Sequence, residues 1–137
     1  MKQPETELPL ASQLTKTGLD ETTIKSLVEQ HMRLQLMCGV IRMMCECAED
    51  GEFDNLSDLF AERQSIMDSI AHQQSQLKPR IQEAGCSDQV NGLFAPVMKA
   101  VETGDDVLLK ILRLKKDFIV EKSREALKHR LVAHYKG

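Results

Sequence analysis

The sequence predicts an all-α fold: a long antiparallel helical hairpin, a short helical linker and a long C-terminal helix, together a three- to four-helix bundle. Three observations carry this expectation. Seven glycines, four prolines and no tryptophan in 137 residues leave little turn chemistry for a chain of many short strands. From Asp20 to about Glu49 there is no proline, and the only glycine is Gly39. Apolar residues recur there at alternating steps of three and four, the spacing of a helix packed on a helix. A chain of this size makes one domain, 20–137, preceded by a flexible N-terminal lead-in over 1–19 that holds Pro4, Pro9 and Gly18.

In the first helix the seam runs through Ile24, Leu27, His31, Leu34, Cys38, Ile41, Cys45 and Ala48. Asp20 or Thr22 can cap its start, and Asp50-Gly51 supplies the stop. At 1.5 Å per residue such a helix is roughly 45 Å long.

A second helix is predicted from Asp54 or Asn55. Leu56, Leu59, Arg63, Ile66, Ile70, Gln73 and Leu77 repeat the spacing, flanked by Phe60 and Met67. Lys78-Pro79 is its expected end, because a residue before proline is pushed out of helical geometry. The short connection makes the two helices antiparallel neighbours in which paired positions sum to about 104. This register places Cys45 by Leu59, Leu34 by Ile70 and His31 opposite Gln73. It also sets Arg63 beside Ile41, where a guanidinium must find a carboxylate or reach water.

Over 79–104 the punctuation by Pro79, Gly85, Gly92, Pro96 and Gly104 predicts one or two short helices. Asp105 or Asp106 is then the expected cap of a last helix reaching about Tyr135. Its first half is apolar, and its second half thins to Leu127, Leu131 and Tyr135 among lysines and arginines. Cations near a helix C-terminus suit the macrodipole.

The net charge of −3 divides unevenly: residues 1–106 hold 9 basic and 18 acidic side chains, and residues 107–137 hold 9 basic and 3 acidic. A basic end on an acidic body pairs internally or meets an acidic partner. The basic helix offers only Phe118 and Tyr135 as aromatic platforms, so nucleic acid is not an expected partner. No stretch approaches the roughly 20 apolar residues of a membrane span, and the N-terminus lacks the charged-then-apolar order of a secretory signal. The expected location is the cytoplasm, with Cys38, Cys45, Cys47 and Cys86 as reduced thiols.

Four cysteines and four histidines raise the question of zinc. Cys45 and Cys47 are one residue apart on a helix and point about 200° away from each other, while His31, Cys38 and Cys45 lie roughly 10 Å apart along the axis. Neither arrangement shares a metal, and no metal or cofactor is expected. A cysteine nucleophile needs a base and an exposed, pKa-lowering setting, whereas these cysteines fall on the core face. Glu125 and His129 lack the paired Glu-x-x-His pattern of a di-iron bundle. No catalytic residue emerges.

The informative excess is apolar surface. Beyond its seam the first helix carries a second stripe, Met32, Leu36, Val40, Met43 and Cys47. A helix apolar nearly all round must be buried twice over. Either the last helix covers this stripe or a partner helix does, and both hold if the last helix is a displaceable cover. Methionine side chains are flexible and suit a surface that accepts an amphipathic helix. The candidate partner-binding residues are this stripe with Leu108, Ile111, Leu112, Phe118 and Ile119 of the last helix. A self-associating coiled coil closed by the same stripe, a homodimer, is the alternative.

The stretch from Cys47 to Ile70, CAEDGEFDNLSDLFAERQSIMDSI, resembles the helix-turn-helix of flagellar type III export chaperones: an acidic-Gly turn, an aromatic, and Glu62-Arg63-Gln64 leading into aliphatics. Ile111–Ile119 and Lys122–Lys128 look like that family's closing helix, and the resemblance covers roughly residues 24–133. The filament-cap chaperones (FliT-like) are the nearer pattern, and the FlgN-like chaperones of hook–filament junction proteins are similar. The resemblance implies a cytoplasmic, non-enzymatic bundle that masks an assembly-prone segment of an export substrate, most simply the filament-cap protein. It also implies delivery to the export ATPase complex. Lys115-Lys116 stand where the family often has acidic or aliphatic residues, and four cysteines are not a family feature.

Overall fold

The computed structural model describes the backbone of residues 9–136 and the side chains of residues 9–116. Among them are four helices and no strand: α1 Leu10–Thr15, α2 Glu21–Asp50, α3 Phe53–Ala84 and α4 Ser87–Lys136. The all-α class stands. The separate linker does not, because residues 87–104 are the first third of α4.

Helix α2 has the expected boundaries. Asp20 holds extended backbone at the N-cap position, and its carbonyl accepts the first helical bond, from Ile24 N–H at 3.0 Å. At the other end Gly51 takes φ +74, a left-handed conformation that costs glycine nothing. Gly51 N–H donates to Ala48 O and Glu52 N–H to Cys47 O, the paired bonds of a Schellman stop. Gly85 repeats the device after α3 with φ +68, and Cys86, the next residue, is buried. Each turn uses only two residues, so α2, α3 and α4 run up, down and up.

Two prolines are corrected from helix ends to helix interiors. Pro79 lies inside α3 and Pro96 inside α4. Each removes one backbone hydrogen bond and disfavours the helix by about 3 kcal/mol. Both are exposed, so the carbonyl left without a donor can be satisfied by water, while Leu77 and Val97 beside them are buried and hold the helix to the core. Asp105 is likewise not a cap but lies mid-helix.

The core is read in heptads. Along α3 the expected seam holds: Leu56, Leu59, Ile66, Ile70 and Leu77 are buried, with Arg63 and Gln73 half-buried between them. Along α4, Val90, Phe94, Val97, Val101 and Leu108 are buried at the same alternation, and Gly104 occupies the step between the last two. Helix α2 meets both neighbours, so its buried arc is wider than one seam. Thr23, Gln30, Met37 and Met44 are buried beside Leu27, Leu34, Ile41 and Ala48, whereas Ile24, His31, Cys38 and Cys45 are only half-buried.

Register follows from three cross-contacts. Arg33 donates to Gln73 Oε1, and Arg80 to Thr23 Oγ1 at 3.4 Å, so α2 and α3 pair close to the expected sum. His31, expected opposite Gln73, instead sets its ring edge-on to Phe94 at 5.3 Å. Positions 31 and 33 are about 200° apart on a helix, and the two helices take one each.

Described residues of the lead-in are docked rather than loose. Leu14 of α1 is fully buried, and Leu10 and Leu19 pack partly against the core. Full burial of a leucine side chain stabilises by about 2 kcal/mol.

Candidate functional site

Helix α2 is the spine of the bundle: α3 and α4 both lie along it and barely touch each other. Both occupy the half centred on Leu34 and Ile41. The opposite half is left open. Met32, Leu36 and Met43 are 61%, 55% and 51% exposed, forming an apolar strip along the outward side of a rigid helix. The expectation that the last helix covers this strip is corrected, because α4 docks where His31 and Ile41 point.

The ten partner-binding candidates therefore do not form one surface. Val40 and Leu108 are core residues. Val40 sits about 40° from Leu36 and about 80° from Met32 around the helix, close enough to the α3 side to be covered. Cys47, Ile111 and Leu112 are half-buried, and the Phe118 and Ile119 side chains lie outside the described residues. What remains open from the predicted set is Met32, Leu36 and Met43, with Cys47 at the end nearest the hairpin turn.

Other exposed apolar residues were missed as site candidates. Phe53, Phe60 and Met67 are exposed at seven-residue steps along α3, and Met98 and Leu109 are exposed on α4. The seven-step repeat on α3 was the available signal. It hid behind the seam beside it.

The hairpin turn carries the densest charge. Residues 46–62 contain seven carboxylates (Glu46, Glu49, Asp50, Glu52, Asp54, Asp58, Glu62) and no lysine or arginine. Among the described residues the one ion pair is Arg63 with Asp105. Glu52 accepts hydrogen bonds from Asn55 Nδ2 at 3.4 Å and from the Cys47 thiol at 3.8 Å.

The surroundings of Cys38, Cys45 and Cys47 disfavour the thiolate, the nucleophilic form. Burial pushes Cys38 and Cys45 up, and at Cys45 the Glu49 carboxylate acts in the same direction. Cys47 is also raised, first by desolvation and then by the Glu52 carboxylate. Cys38 and Cys45 line an open groove of about 590 Å³ between α2 and α4, with Arg42, Lys99, Ala100 and Gly104 also lining it. Among the described residues no group of three or more His, Cys, Asp or Glu side chains could hold a metal ion, and no helix is long and apolar enough to cross a membrane.

Comparison with protein-family models, curated proteins and solved structures finds no match. The likeness to export chaperones thus rests on the residue pattern alone. The site's chemistry is that of an apolar strip leading to an acidic tip.

Proposed function

We propose that the chain is a cytoplasmic, non-enzymatic flagellar export chaperone that holds an assembly-prone helical segment of one substrate, the filament-cap protein, and delivers it to the export ATPase complex. One observation carries the reading: Met32, Leu36 and Met43 stay open to solvent on the outward side of the central helix. Three large apolar side chains along one face match the i, i+4, i+11 anchors of a helix-binding surface. The all-α bundle gives that face a rigid backing, and methionine lets it adapt to its ligand. The Cys47–Ile70 pattern supports the family assignment, and carboxylates at the tip favour a client helix with a cation at that end.

The test is calorimetric titration of the full chain with the helical C-terminal segment of a filament-cap protein. Binding is expected, with Met43→Asp abolishing it while the circular dichroism spectrum stays helical. Binding of hook–filament junction segments instead would move the client to the FlgN-like class. No binding of either segment, or binding unaffected by Met43→Asp, overturns the reading.

A further inference from the structure

Helix α2 has a second open flank, and its chemistry differs from that of the strip. Cys38 lies two residues from Leu36 and about 200° around the helix, on the side that meets α4. There the groove of about 590 Å³ runs between the Cys38–Cys45 stretch of α2 and the Pro96–Val107 stretch of α4. It follows three turns of α4, about 16 Å. Its volume falls among pockets that hold small ligands, roughly 300–1,000 Å³.

Two properties of the lining define an occupant. Ile41, Pro96, Ala100 and Val107 give it an apolar wall. Its charged groups are both cations, Arg42 from α2 and Lys99 from α4, and no carboxylate lines it. This runs against the chain around it, since residues 1–106 hold 9 basic and 18 acidic side chains. Neither cation is ion-paired: among the described residues the one ion pair is Arg63 with Asp105. Both are exposed, so each can line the wall with its stem and keep its charged head at the rim. Arg42 acts on the groove itself: burial raises the Cys38 thiol, and Arg42 is the charge that opposes it. Three turns of a helix about 10 Å across fill roughly 1,200 Å³, about twice the groove, so a single hydrocarbon chain suits it better than a helix.

We propose that this groove binds one fatty-acid anion, its hydrocarbon chain along the apolar wall and its carboxylate drawn to Arg42 and Lys99 at the rim. The ligand is a free single-chain carboxylate taken from solution. Burial of the chain supplies affinity, and the two cations select the charge. The site lies away from Met32, Leu36 and Met43, so it stands or falls separately from client binding.

The experiment is calorimetric titration of the full chain with decanoate, and with decyltrimethylammonium as a cation of equal chain length, both below their micelle concentrations. One decanoate per chain is expected, with a Kd of about 100 µM, and no saturable binding of the cation. Arg42→Gln with Lys99→Gln should weaken decanoate at least about tenfold while the circular dichroism spectrum stays helical. Ala100→Leu, which fills the groove, retains both cations and suits a helix, should weaken it by about the same factor. Thiol alkylation at about pH 9, mapped by mass spectrometry, locates the ligand. Bound decanoate should slow modification of Cys38 and Cys45 and leave Cys47, outside the groove, unchanged. No saturable decanoate binding, equal binding of the two amphiphiles, or an affinity indifferent to both variants would each overturn the proposal. So would protection of Cys47 in place of the groove thiols. Protection of Cys38 and Cys45 by a glutamate-rich amphipathic peptide but not by decanoate would overturn it in favour of a protein partner.

Discussion

The Arg63 guanidinium donates to the Asp105 carboxylate at 2.7 Å, tying α3 to α4 at the level where Gly104 meets Ile41. It is the one ion pair among the described residues, between two helices that otherwise scarcely touch. Both side chains are half-buried, and the Arg63 Nε is buried without a partner. A double-mutant cycle with Arg63→Ala and Asp105→Ala in urea should give a coupling of about 1 kcal/mol, above most exposed pairs. Additive single effects would show that the pair contributes nothing beyond its separate parts.

At Gly104 α4 packs tightly on α2. A Cβ there would sit 3.0 Å from Ile41 Cγ2, against a buried, β-branched side chain that has little freedom to yield. Gly104→Val should cost about 1–3 kcal/mol by overpacking. Gly39→Ala and Gly92→Ala meet nothing within 4 Å and should each stabilise by roughly 0.5–1 kcal/mol through helix propensity. Thermal melts of the three variants check the contrast.

Gln30 lies in the buried arc of α2 with its Oε1 unsatisfied. Replacing an unpaired buried acceptor by an apolar side chain of similar size removes a desolvation cost. Gln30→Leu should raise stability by about 1 kcal/mol in urea denaturation. A loss of stability would reveal that the amide has a polar role.

Pro79 and Pro96 interrupt long helices on their solvent faces. Pro79→Ala and Pro96→Ala restore one backbone hydrogen bond each, less the entropy the unfolded chain regains, for a net gain of about 1–2 kcal/mol. Unchanged or lower melting temperatures would mean that the surrounding turns are built around the rings.

The raised thiols make alkaline pH unfavourable. Burial favours the neutral form of Cys38 and Cys45 in the folded chain, so their contribution is complete below the ordinary thiol value near 9.0. It is lost as pH rises through the higher folded values. Stability should therefore fall above about pH 9. Reaction of Cys38, Cys45 and Cys47 with a disulfide reagent should be slow at neutral pH, and buried Cys86 should react only on unfolding. Fast modification at pH 7 would contradict the raised values.

The sequence by itself determined α2, the start of α3 and the pairing of the two, but not α1 or the continuous α4. The α3 seam from Leu56 to Leu77, the Gly51 stop and the antiparallel register are local facts of spacing and capping, and a period of three and four leaves little choice. It also showed that Arg63 would need a carboxylate or water, though not that Asp105, 42 residues on, would provide the carboxylate. Pro79 and Pro96 misled because a proline breaks a helix only when nothing else holds it, and burial of Leu77 and Val97 is a tertiary matter. Only the packed bundle decided which side of α2 remains open. Leu34 and Leu36 are equally apolar, and a helix wound with two neighbours on one half must bury the first and leave the second in water.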